Sequence, residues 1–146
     1  MNWREYFLGL AEYVSRKSKD TSTRVGAVAI GPDREVLETG YNGPPRGVLD
    51  TPERFERPAK YLYTAHAEQN LVASAARPRL KGSTVYVTHL CCCECAKALI
   101  NAGVAKVICG PGTTSMPRDM FIAALEMFNE AGVTLEITDG PTEMPG

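Results

Sequence analysis

Two short clusters constrain this chain more than any other feature: His66-Ala67-Glu68, and Cys91-Cys92-Cys93-Glu94-Cys95 a little over twenty residues later. Together they offer one imidazole, a thiolate pair at C-x-x-C spacing, and a carboxylate that a metal would not need. A catalytic zinc takes three protein ligands and keeps a fourth position open. A neighbouring Glu can then move protons for water held there. Any fold of this chain must bring the two clusters to one point, and periodicity places each at the start of a helix. Helix N-termini favour thiolate, and residues three apart in a first turn share a face. His66, Cys92 and Cys95 are therefore the expected ligands, with Glu68 as the proton-transfer group.

Each cluster also has plainer readings. C-x-x-C alone fits a redox pair or half of a structural zinc site. A redox pair has no use for His-x-Glu, and a closed structural site needs a fourth ligand, for which His89 is the only other histidine. Cys91 and Cys93 read as packing or near-site thiols, and Cys109, inside an expected strand, as a small buried apolar side chain.

Around the clusters the chain reads as one domain. Its 146 residues suffice for a real core, and 44% hydrophobic with 23% charged residues is ordinary for a soluble globular protein. A net charge of −1 gives no overall footprint for a nucleic acid polymer. No apolar run approaches membrane-spanning length. The start MNWREYFLGL has no cationic segment followed by a signal-type core, so a cytoplasmic location is expected. Clustered cysteines suit that compartment better than a disulfide framework does.

Helical spacing predicts a helix over 3–17, then strands over 25–30 and 35–41 joined as a hairpin. Residues 42–60, rich in Gly and Pro, read as a long functional loop. A helix over 66–76, stopped by Pro78, precedes a strand over 84–88, a helix over 92–102 and a strand over 104–109. A helix over 117–130 and a strand over 133–137 complete the domain, 1–138, and 139–146 is expected to fray. Alternation of helix and strand after the hairpin argues for an α/β sheet with helices on both faces.

His-x-Glu followed by C-x-x-C is the signature of zinc nucleobase deaminases, and further segments narrow the resemblance. In order they are Trp3-Arg4-Glu5-Tyr6-Phe7, Ser18-Lys19-Asp20 through Val25-Gly26-Ala27, and Gly40-Tyr41-Asn42-Gly43-Pro44-Pro45-Arg46-Gly47. Tyr61-Leu62-Tyr63, His66-Ala67-Glu68-Gln69-Asn70, Tyr86-Val87-Thr88 and Glu94-Cys95-Ala96-Lys97-Ala98 follow. Over residues 3–110 the chain resembles the deoxycytidylate (dCMP) deaminases. The resemblance implies a three-layer α/β/α sandwich around a mixed five-stranded sheet, with Zn2+ as cofactor. It implies hydrolysis of dCMP to dUMP and ammonia, supplying dUMP for dTMP synthesis. Asn42 matches the position that contacts the sugar, and Ala67 the one whose backbone N–H meets the pyrimidine carbonyl. The family also includes homo-oligomers, often hexamers, and members that respond to dCTP and dTTP.

Lys19, Arg24 and Arg46 are the candidate cations for a substrate phosphate near the Asn42 loop. Cys91 stands where the family normally has Pro, Gln69 where an aliphatic residue is commoner, and Val48 where many relatives have Cys, so an accessory zinc site in that loop is not expected. The zinc chemistry would equally serve deoxycytidine, dCTP, 5-substituted dCMP or a free base. A non-catalytic zinc-binding module is disfavoured because it would not need Glu68.

Overall fold

In the computed structural model, which describes residues 1–139, the strand with no polar side chains lies inside the sheet, between an edge strand and the central one. That strand is β1 (Gly26–Ile30), buried at all five positions. It pairs antiparallel with β2 (Val36–Tyr41) on one side and β3 (Thr84–His89) on the other. Parallel pairing then adds β4 (Lys106–Gly112) and β5 (Thr134–Ile137), giving the order β2-β1-β3-β4-β5. Strands buried on both faces have no solvent side to mark with polar residues, so they read as continuous apolar runs.

Alternate side chains of the sheet feed two cores. Ala27, Ala29, Val85, Val87, Val107 and Cys109 pack under α3 (Ala67–Ser74), α5 (Cys93–Asn101) and α6 (Arg118–Ala131), through Leu71, Leu99 and Phe128. Val28, Ile30, Tyr86 and Ile108 face the other way, onto Phe7, Leu8 and Ala11 of α1 (Trp3–Ser15). The side chain of Asn2 caps α1 by accepting the Glu5 N–H at 2.8 Å. Helices thus cover both faces of a mixed five-stranded sheet, the expected α/β/α sandwich.

The chain departs from the sequence expectations in three places. The helix expected over 66–76 ends at Ser74, and Pro78 lies inside a separate short helix, α4 (Arg77–Leu80). Pro is well placed in a first turn, where its missing N–H has no helical partner to lose. Strand β4 runs past Cys109 to Gly112, because β3 continues alongside and pairs His89 with Gly112. Within the expected loop over 42–60 lies a 3-10 turn at Pro52–Phe55, anchored by the buried Phe55. Helix α2 (Lys60–Tyr63) follows it directly. Residues 140–146, most of the expected tail, lie outside the described residues.

Candidate active site

Both clusters sit at helix starts. His66 is the N-cap of α3, and its own N–H donates to the Gln69 side chain at 2.8 Å. Gln69 therefore fixes the turn that aims the imidazole, a use for the amide that an aliphatic residue could not supply. Cys92 is the N-cap of α5, with Cys95 in its first turn. Among the described residues these three alone bring ligand atoms of His, Cys, Asp or Glu together within 4.8 Å. The His66 Nδ1 lies 3.1 Å from the Cys95 Sγ and 3.4 Å from the Cys92 Sγ, and the two sulfurs are 3.7 Å apart. A tetrahedral zinc with Zn–S of about 2.3 Å and Zn–N of about 2.0 Å would set sulfur–sulfur edges near ~3.8 Å and sulfur–nitrogen edges near ~3.5 Å. The donor set therefore fits zinc with little rearrangement.

The electrostatics agree with that fit. The Cys95 hydrogen bond, aided by His66, pushes the Cys92 thiol down to about 4 against the opposing effect of burial. The same hydrogen bond and burial hold the Cys95 proton on, since losing it would put two charges side by side. Cys92 is thus the thiol disposed to ionise, and Cys95 the one whose proton a bound cation would displace. The hydrogen bond to Cys92 raises the basicity of His66.

Glu68, only 4% exposed, lies in the first turn of α3, and burial pushes its carboxyl above the usual range. The Cys91 thiol is fully buried, within hydrogen-bonding reach of Cys109 and of the Glu68 carboxyl. Cys91 and Cys109 thus pack behind the site and stay outside the ligand cluster. His89, the candidate fourth ligand, also stays outside it, which leaves an open set of three.

A cavity of about 300 Å³ opens beside this cluster, lined by His66, Ala67, Glu68 and Cys92, and further out by Asn42, Arg57, Lys60 and His89. That is enough room for a small ligand. Asn42 lines it from a pinned position: its Oδ1 accepts the Val25 N–H at 2.8 Å, and its Nδ2 donates to the Thr23 carbonyl at 2.9 Å.

The three cations expected to meet a phosphate do not line the cavity. Lys19 pairs with Asp50 at 2.5 Å on the exposed surface, Arg24 Nε donates to the Asp20 carbonyl at 3.3 Å, and Arg46 is exposed. Neighbourhood in sequence to Asn42 did not bring them to its open side. The cavity's cations are Arg57 and Lys60, delivered by the folded 52–63 segment. Lys60 is committed to Asp20 at 3.2 Å and Ser22 at 2.9 Å. No motif marked either residue, because both lie in the Pro-rich stretch between motifs.

Known proteins match the same frame. The zinc-binding region of cytidine and deoxycytidylate deaminases matches residues 1–111. A deaminase from Aliivibrio fischeri, encoded 3′ of luxG and itself uncharacterized, is 39% identical over 145 residues, covering 97% of this chain and 96% of the relative. Human deoxycytidylate deaminase is 36% identical over 140 residues, covering 92% and 78%. The apo crystal structure of dCMP deaminase from the cyanophage S-TIM5 aligns with a TM-score of 0.71 at 26% identity, over 94% of this chain and 100% of that one. The same cyanophage enzyme in complex with dCMP and dUMP, at 24% identity over 94% of this chain and 99% of that one, shares the fold with a TM-score of 0.72. With this fold, this donor set and these relatives, the chain belongs to the zinc-binding cytidine and deoxycytidylate deaminase family.

Proposed function

We propose that this chain hydrolyses dCMP to dUMP and ammonia, its product feeding dTMP synthesis. The observation that carries the reading is the open three-ligand cluster sharing one cavity with a buried Glu68. A similar human protein is a deoxycytidylate deaminase, and a structural neighbour holds dCMP and dUMP.

His66, Cys92 and Cys95 would hold zinc, which supplies Lewis acidity that lowers the cost of deprotonating water. Glu68 then does the proton work. Its carboxylate takes the proton from water as the oxygen adds to C4 of the pyrimidine, and burial strengthens its hold on that proton. It delivers the proton to N3, then carries the proton of the new C4 hydroxyl to the exocyclic nitrogen, so that the C4–N bond breaks, ammonia departs and the C4 carbonyl forms. One water is consumed, and the C4 amino group is replaced by oxygen.

Ala67 is the first residue of α3, so its N–H has no intrahelical acceptor and suits the pyrimidine carbonyl. Each end of the Asn42 amide keeps one hydrogen-bonding position beyond those used by Thr23 and Val25. A sugar hydroxyl would use them.

We read residues 1–138 as one cytoplasmic catalytic domain that forms a homo-oligomer. Five free cysteines suit a reducing compartment. No helix among the described residues is long and apolar enough to cross a membrane. Exposed Trp3, Tyr6 and Tyr13 on α1, with Tyr61 and Leu62 on α2, offer apolar surface for a second copy.

Ammonia release from zinc-loaded protein given cytosine, deoxycytidine, dCMP, dCTP and 5-substituted dCMP tests the reading. The highest kcat/KM is expected with dCMP. Equal values for dCMP and deoxycytidine would leave a zinc deaminase but defeat the nucleotide assignment.

A further inference from the structure

Besides the expected zinc ligands, polar groups from three segments line the cavity. Arg57 Nη2 donates to the Ser115 hydroxyl at 3.1 Å, and Arg57 Nε donates to the Tyr61 hydroxyl at 2.5 Å. Both partners are neutral. No ion pair among the described residues includes Arg57, whereas the cavity's other cation, Lys60, is already paired with Asp20. Beside Ser115, Thr114 also lines the cavity, and its Oγ1 is buried with no partner. An uncompensated cation and an unused hydroxyl on one wall suit an anionic ligand.

His89, which also lines the cavity, has one ring nitrogen tied into the fold. Its Nδ1 lies 2.6 Å from the Thr88 Oγ1, and that oxygen accepts the Gly26 N–H at 3.1 Å. With one lone pair so occupied, the Thr88 hydroxyl can give its own proton to Nδ1, the arrangement that carries the imidazole proton on Nε2. The ring lies against Gly112, where a Cβ would stand 2.6 Å from its atoms, so only glycine leaves this space. Burial lowers the basicity of His89. Gly112 lies two residues before Thr114, so the His89 ring packs beside the start of the segment whose Thr114 and Ser115 line the same cavity.

We infer that Arg57, Ser115 and the Nε2–H of His89 form the subsite for the substrate's phosphomonoester, in place of Lys19, Arg24 and Arg46. The inference rests on the nucleotide reading above and says which residues make it.

The test is the ratio of kcat/KM for dCMP to that for deoxycytidine, measured on zinc-loaded enzyme. Arg57→Ala is expected to lower this ratio by about tenfold or more, the scale of a lost charge-assisted hydrogen bond. Arg57 is exposed, so its removal spares the core. Ser115→Ala and His89→Leu should each lower the ratio by about threefold to tenfold. Lys19→Ala and Arg46→Ala should leave it within about twofold of wild type. A wild-type preference for dCMP that survives Arg57→Ala overturns the subsite and leaves the function standing. If wild type shows no preference, the nucleotide reading falls and calorimetry with inorganic phosphate decides. Binding that weakens about tenfold in Arg57→Ala keeps an anion subsite, and no binding to wild type removes it.

Discussion

The two ends of the cavity are built differently. At the metal end, the ligands and Glu68 come from two helix starts whose functional residues lie within four positions of one another, backed by buried Leu71, Leu99 and Cys109. At the rim, Arg57 meets Ser115 across 58 residues, Lys60 meets Asp20 across 40, and Asn42 meets Thr23 across 19. Local geometry sets each half of the first end, since one helical turn brings i and i+3 together, and a single meeting of two helix starts then joins His66 to Cys92 and Cys95 across 26 and 29 residues. Long-range closure sets the second, and each contact there depends on loops that fold only in context. Under the proposed function, the chemistry would sit on helix starts and substrate selection on loop-borne residues.

The largest effects should come from breaking the metal end. Cys92→Ala or Cys95→Ala is expected to lose the bound zinc and all measurable turnover, with a lower Tm. Cys91→Ala, Cys93→Ala and Cys109→Ala should each keep one zinc per chain. Metal analysis of the five proteins decides this, and zinc loss from Cys91→Ala would mean that the ligand register is wrong.

Next is Glu68→Gln, which keeps the shape and removes the base. A fall in kcat of about 10³-fold with zinc retained is expected. Near-normal turnover in the zinc-loaded variant would remove Glu68 from the mechanism.

At the rim, Lys60→Ala strands Asp20, which is only 2% exposed. Breaking a buried pair costs about 3 kcal/mol, and the Ser22 and Thr23 N–H groups that still bind Asp20 should soften the loss. Denaturant unfolding measures it. Recovery in Asp20→Asn/Lys60→Met would identify the stranded charge as the cause.

Gly40→Ala sharpens the comparison, because it lies at the back of the metal end. A Cβ there would stand 2.7 Å from the Leu71 N and closer still to the Ala67 carbonyl, forcing α3 off the sheet. A loss of about 2 kcal/mol is expected, together with a lower kcat, since His66 and Glu68 ride on α3. A lower Tm with unchanged kcat would show that the site tolerates movement of that helix. The smallest effect belongs to Lys19→Ala: its pair with Asp50 is solvent-exposed, and no change in Tm is expected.

The same division governs what could be read in advance. The hairpin, the alternation of strands and helices, and the two helix starts were legible because apolar periodicity and one-turn spacing are local properties. Element ends were less so: Pro78 opens a short helix where it was expected to stop a longer one, and the partner strand β3 draws β4 on to Gly112. The 42–60 stretch hid Arg57 and Lys60, because its Gly and Pro residues announce irregular backbone without saying where that backbone leads.

By itself the sequence determined which side chains meet as a donor set for zinc and the family whose segments recur over residues 3–110. The tertiary structure alone decided which cations reach the cavity. Lys19, Arg24 and Arg46 are near Asn42 in the chain, yet they lie off the cavity wall, while Arg57 and Lys60 line it. Spacing within one helical turn fixes relative position through the backbone, but across a loop only tertiary contacts, such as those of the Pro52–Phe55 turn with α2 and of Lys60 with Asp20, determine where a side chain ends.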